Sequence, residues 1–188
     1  DSSVLAVDAL LTVREELLPF IERRHAELRD DRYFKGTDME RSAFRFYEFL
    51  AGDGGLGCNL GRGKLSFVFY TNKPEEAIGR ELADTETRIS ERLEKIGVKT
   101  TGFKPRSRFF HCLCLPDEDE TLRTVLSSAQ DACGKPVKIS GACLSDLSVF
   151  LKYGSPVSLS FGLVRDFKLC GGAHQADEFV EQDKLLEH

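Results

Sequence analysis

The sequence predicts an α+β fold: helices packed on a mainly antiparallel sheet, followed by a segment that alternates helix and strand. Three observations predict it. A long amphipathic pattern precedes two aromatic-rich strand patterns joined by a glycine-rich connection. A second, cleaner helical stripe follows them. After Pro116 the pattern changes to short helices alternating with short strands, as in parallel sheets with helical crossovers.

In the first helix, residues 4–29, Val7, Leu10, Leu11, Leu17, Leu18, Ile21 and Leu28 recur at roughly helical spacing. Pro19 predicts a kink or break there, since a proline inside a helix costs about 3 kcal/mol. Residues 30–42 are polar and read as irregular. Residues 44–49 and 64–70 read as strands, with Leu65, Phe67 and Phe69 on one face of the second. The glycine-rich stretch between them, 52–63, reads as a wide hairpin loop rather than a phosphate cradle, because no helix N-terminus follows it. Pro74 opens the next helix, Ile78, Leu82, Ile89, Leu93 and Ile96 mark its apolar stripe, and Gly97 stops it. Residues 98–103 and 108–115 read as strands broken near Pro105, completing an α-β-β-α-β order. Beyond them come a helix carrying Leu122, Val125, Leu126 and Ala129 to Gly134, a strand over 136–140, a helix capped by Ser145 and stopped at Gly154, and a strand over 156–161.

Composition limits the function classes. The 188 residues are long enough for a real core, in one domain or two small ones. A net charge of −5 argues against nucleic acid, and the basic stretch Lys104-Pro105-Arg106-Ser107-Arg108 is too short to reverse that. The six cysteines form no C-x-x-C pair and read as reduced thiols of a cytoplasmic protein. No leader peptide and no apolar run long enough for a bilayer are present, so no membrane partner is expected. The start at Asp1-Ser2-Ser3, without Met, reads as a designed fragment or as the ordered part of something larger, and residues 186–188 read as a histidine-tag remnant.

Candidate chemistry is sparse. Gly171-Gly172-Ala173-His174-Gln175-Ala176-Asp177-Glu178-Phe179-Val180 presents a histidine on a small-residue loop, with two carboxylates three and four places on. Glycines permit close backbone approach to an ion, and acids orient an imidazole. The residues alone leave a structural and a metal-binding role for His174 equally open. His25 reads as a solvated residue of the first helix, and His111 as a packed or edge histidine with no flanking acid. Asp146 is either a helix-dipole acid or a carboxylate aimed at a cleft. For Asn59 a left-handed turn position is favoured over ligand contact.

The order of these motifs resembles the C-terminal half of the zinc-dependent amidohydrolases and exopeptidases that include acetylornithine deacetylase, succinyl-diaminopimelate desuccinylase, carboxypeptidase G and peptidase T. Asp8-Ala9-Leu10 is similar to the family's Asn-Ala-Ile helix start. The run from Phe44 through Asn59 to Phe69 is similar to its lid strand, Gly-Gly…Asn turn and next strand. Ser145-Asp146, then Tyr153-Gly154-Ser155-Pro156-Val157 and Phe161-Gly162, resembles its Thr/Ser-Asp-Ala-Arg…Gly-x-Pro…Phe-Gly-Pro run. Residues 173–180 resemble the closing Ala-His-x-x-Asp-Glu-Tyr-Val, whose histidine binds zinc.

The resemblance implies that residues 1–115 are a ferredoxin-like lid that also joins two subunits into a homodimer. Residues 116–185 are then the end of a catalytic α/β domain. It implies a site of two zinc ions, with His174 as one ligand, Asp177, Glu178 and Asp146 as supporting or substrate-facing acids, and Asn59 reaching toward substrate. The substrate is a peptide or N-acyl amino acid, whose amide carbonyl the zinc polarises. The family's His-x-Asp pair, bridging aspartate and catalytic glutamate would lie upstream, so the chain alone is expected to be inactive. Tyr70 and Ser148 stand where the family has arginines, and Leu163 where it has proline. The alternative expectation is a non-catalytic dimerisation or binding module.

Overall fold

A computed structural model of the protein describes residues 4–52, 61–112, 115–137, 147–155, 157–159 and 177–183. The chain divides into two compact units, Asp1–Cys114 with Ile139–Val149, and Leu115–Lys138 with Phe150–His188.

The first unit opens with α1, Ala6–Asp30. Of the kink or break expected at Pro19, a break does not occur: the helix runs through the proline. Leu17 and Phe20, on either side of the proline, are both fully buried, while Pro19 itself is exposed. Packing of these two side chains therefore offsets the proline's cost, and the missing hydrogen bond lies on the solvent side, where it is cheapest. The buried stripe is Ala6, Ala9, Leu10, Leu17, Phe20, Arg24 and Leu28. Val7, Leu11 and Leu18, which the periodicity also collects, point outward.

Residues 30–42, expected to be irregular, contain a one-turn helix α2, Asp38–Arg41. Thr37 caps it by accepting from the Glu40 backbone N–H at 3.4 Å, and the Glu40 carboxylate reaches back to the Gly36 N–H. This is a near relative of the Thr-x-x-Glu capping box.

Strands β1, Phe44–Ala51, and β2, Gly63–Phe69, pair antiparallel with Phe44 opposite Phe69, Phe46 opposite Phe67 and Phe49 opposite Leu65. The pairing agrees with a hairpin across the glycine-rich stretch. A register shift between Phe46 and Glu48 makes Tyr47 the extra residue of a bulge. Helix α3, Glu75–Lys95, begins one residue after Pro74, buries Ile78, Thr85, Ile89 and Leu93, and ends at Gly97 with φ 76°.

The inner sheet face is aromatic. Phe20 of α1 meets Phe69 edge-on at 5.1 Å, Phe44 stacks on Phe67 at 5.1 Å, and Phe103 meets Phe67 edge-on at 5.6 Å. Ala9, Leu17, Ile89 and Leu93 complete this core, with Phe46, Leu65 and Val98 packed against it. Aromatic pairs of this geometry add about 0.5–1.5 kcal/mol each beyond the area they bury.

Residues 98–103 and 108–112 are not strands. Two of their backbone donors go to side chains, Phe103 N–H to the Glu86 carboxylate at 3.1 Å and Gly102 N–H to Thr100 Oγ1 at 3.1 Å, while Val98 N–H returns to Leu93 O at 2.9 Å. Gly102 has φ 74°, and a Cβ there would lie 2.3 Å from Glu86 Oε1. The segment is anchored to α3 by this contact, and among the described residues the sheet has two strands. The unit is thus α+β, with helices on a two-stranded antiparallel sheet.

In the second unit, α4 spans Glu120–Cys133. Asp119 caps it, accepting from Leu122 N–H at 2.9 Å, and left-handed Gly134 closes it. Helix α5, Leu147–Tyr153, runs across the division between the units at Val149, and Gly154 N–H returns to Phe150 O at 2.8 Å. Residues 136–137 and 157–159 are irregular where strands were expected, and the rest of those two runs lies outside the described residues. The Ser155 hydroxyl accepts from Val157 N–H at 3.3 Å, which takes a donor that a sheet neighbour would need. Among the described residues, no helix is long and apolar enough to cross a membrane.

Because packing rather than propensity carries α1 through Pro19, Pro19→Ala is expected to raise unfolding stability by up to about 3 kcal/mol. A denaturant midpoint unchanged or lowered in that variant would contradict this account of the helix.

Candidate functional site

His174, Asn59 and Asp146 lie outside the described residues. Asp177 and Glu178 are described, and both are exposed. Among the described residues no group of three His, Cys, Asp or Glu side chains can hold a metal ion. The described donors therefore do not fit a zinc site by themselves. Cys112 is half-buried and Cys133 is an exposed thiol. His25, expected to be solvated, is half-buried. His111 is packed as expected, edge-on to Phe109 at 5.4 Å. Its acidic neighbour comes from α3: Nε2 lies 3.5 Å from the Glu75 carboxylate, outside hydrogen-bond geometry.

The most structured polar group in the first unit centres on Arg24, a residue the sequence did not single out. Its side chain is completely buried on the apolar stripe of α1. Nη2 donates to Glu27 Oε1 at 2.6 Å and to both Glu81 oxygens at 3.2 and 3.0 Å, and Nη1 donates to Thr71 Oγ1 at 3.3 Å. The guanidinium also lies 4.7 Å from the Phe20 ring centroid. Thr71 Oγ1 donates to Glu27 Oε2 at 3.0 Å and accepts from Lys73 N–H at 3.0 Å. Arg23 adds a second cation on Glu81 at 3.0 Å, so two guanidinium groups face two carboxylates. Arg24 Nε is buried without a partner. A buried charge persists only when paired and hydrogen-bonded in this way.

Beside this node is an open cleft of about 700 Å³, lined by Arg23, Glu27, Asp31, Tyr33, Asn72 and Lys73 among others. Asn72 Nδ2 donates to Asp31 Oδ2 at 2.9 Å, while its Oδ1 is buried and unbonded. The lining has charges of both signs but no histidine, cysteine or serine. It offers polar contacts and no nucleophile–base pair.

A second network lies on the outer face of the hairpin. The Glu48 carboxylate accepts from Ser66 Oγ at 2.6 Å, pairs with Lys64 Nζ at 2.7 Å and receives Arg106 Nη1 at 3.5 Å. Hydrogen bonds from Lys64 and then Ser66, opposed by desolvation, hold its pKa below the ordinary 4.5.

Comparison with protein-family models, characterised proteins and solved structures finds no match to this chain. The assignment of a function therefore rests on the residues.

One signal for Arg24 was present in the sequence: it follows Leu17 and Phe20 and precedes Leu28 at the spacing of a single helix face. Its partners Thr71 and Glu81 were not legible, because they come from residues 47 and 57 positions away.

Arg24→Ala is expected to lower unfolding stability by about 3 kcal/mol or more, since it leaves Glu27 and Glu81 without their buried cation. A loss below about 1 kcal/mol in denaturant titration would show that the node is not structurally important. For Glu48 the expected effect depends on pH. A carboxyl whose folded pKa is depressed contributes stability that is present above its unfolded pKa and lost as pH falls through the folded value. Glu48→Gln should thus destabilise the protein at pH 7, with the gap from the parent closing as pH falls below 4.5. A gap constant from pH 7 to pH 3 would contradict it.

Proposed function

We propose that this chain is the lid and the C-terminal part of a cytoplasmic, dinuclear-zinc amidohydrolase, the family it resembles in sequence. The full-length protein hydrolyses an amide bond of a peptide or N-acyl amino acid and forms a homodimer through a ferredoxin-like lid. The observation that carries this reading is the closing run Ala173-His174-Gln175-Ala176-Asp177-Glu178-Phe179-Val180, placed last in an ordered series of motifs. The α-β-β-α order of α1, β1, β2 and α3, with an aromatic sheet face against the helices, supports it, since this order belongs to that lid.

His174 supplies one metal ligand, and the others lie upstream of Asp1. Tyr70 bears on the substrate. It stands where the family has an arginine and packs against the cluster of Leu28, Phe34 and Ala43. A carboxylate-binding arginine is therefore not replaced there by another cation, and the substrate carboxylate, if bound, is held elsewhere.

A second reading, a non-catalytic dimerisation or binding module, draws on the arginine positions of the family that Tyr70 and Ser148 occupy here.

The deciding experiment uses the full-length protein with its upstream residues. Purified protein is expected to carry zinc and to hydrolyse N-acyl amino acids. His174→Ala should lower both zinc content and kcat/KM, the latter by more than about 100-fold, beyond the range for outer-shell partners. The 188-residue chain alone should not hydrolyse these substrates. Full-length protein without zinc, or a His174→Ala variant with unchanged zinc and activity, would favour the non-catalytic module.

A further inference from the structure

We infer that the outer face of the β1–β2 hairpin, with Arg106 laid against it, is a docking surface for an acidic, extended segment of a second protein. The register puts Arg45, Glu48 and Leu50 of β1 opposite Val68, Ser66 and Lys64 of β2, on the face away from the aromatic core. Arg106 joins this face through Glu48 at 3.5 Å and the Tyr47 hydroxyl at 3.3 Å. Lys64 and Arg106 share one carboxylate, Glu48, and exposed Arg45, whose guanidinium donates to Ser42 Oγ, adds a third cation to the face, for a local charge of +2. Lys99, Lys104 and Arg108 flank Arg106 in the sequence, where no Asp or Glu occurs between Lys95 and Asp117, although the Glu86 carboxylate of α3 accepts from Phe103 N–H within this segment. All three are exposed. In a chain of net charge −5, this reversal of sign is a local feature that attracts anions.

The face selects a polypeptide over other polyanions. Single-stranded nucleic acid needs free aromatic faces for its bases. Tyr47, the exposed aromatic beside these charges, already has the Arg106 guanidinium over its ring at 5.9 Å. Exposed Leu50 and Val68 lie among the cations, a spacing that suits a segment with alternating acidic and apolar side chains. A second copy of this chain fits less well. Its dense acidic run, Asp117-Glu118-Asp119-Glu120, has Asp119 committed to capping α4.

The test measures binding of a fluorescent twelve-residue peptide of alternating Glu and Val to the 188-residue chain, by anisotropy, at low salt and at about 150 mM salt. Saturable binding that weakens with salt is expected. Lys64→Glu with Arg106→Glu should weaken it about tenfold or more, and Arg80→Gln on α3 should leave it unchanged. If the double charge reversal unfolds the protein, Lys64→Gln with Arg106→Gln serves instead, with circular dichroism matching the parent. The proposal is overturned by no binding at low salt, or by binding that the folded double variant retains in full. It is also overturned if a single-stranded oligonucleotide or phosphatidylserine vesicles bind more tightly than the peptide, or if self-association of the chain competes the peptide away.

Discussion

The first unit depends on the burial of one charge. Arg24 has no exposed side-chain surface, and a guanidinium removed from water costs several kcal/mol unless its donors are satisfied. The satisfaction comes from three places in the chain: Glu27 one turn along α1, Thr71 just after β2, and Glu81 in α3. Arg24 therefore sets how α1, the end of the hairpin and α3 meet. Any slip of α3 along α1 would pull Glu81 away and leave the charge unpaired. Apolar contacts alone tolerate such slips, because hydrophobic attraction has no preferred direction. At the other end of the same helix pair, Arg92 holds Glu15 and Glu16 at 2.7 and 2.6 Å, but from an exposed position where each pair contributes little.

With the helices held, the aromatic sheet face has a defined surface to pack on. Phe20, Phe44, Phe67, Phe69 and Phe103 meet largely edge to face, an arrangement that ring quadrupoles favour and that fixes side-chain orientation as well as volume. The bulge at Tyr47 matters for the opposite face. The extra residue turns the ring outward into reach of Arg106, while Glu48 returns to register opposite Ser66. One irregularity thus separates an apolar inner face from a charged outer face within an eight-residue strand.

The functional reading and this architecture belong to different parts of the chain. The described residues supply a scaffold: a held helix pair, an aromatic core, a mixed-charge cleft and a basic face. The proposed chemistry belongs to the run around His174 and to residues upstream of Asp1.

The sequence by itself determined the elements whose causes are local. The stripe Ile78, Ile89 and Leu93, the Gly134 stop of α4, and the aromatic alternation of β2 all follow from neighbours within a few residues. The candidate site was legible only as a motif at His174, with Asn59 and Asp146, none of which lies among the described residues. Tertiary structure decided the rest. It chose which apolar residues of α1 face inward, carried the helix past Pro19, and gave the backbone donors of residues 102 and 103 to side chains instead of a third strand. It also turned Arg24, a surface residue by type, into the buried centre of the unit. The physical reason is the same in each case. Burial and pairing depend on which distant segment comes within a few ångströms, and periodicity in one segment does not record the partner brought to it.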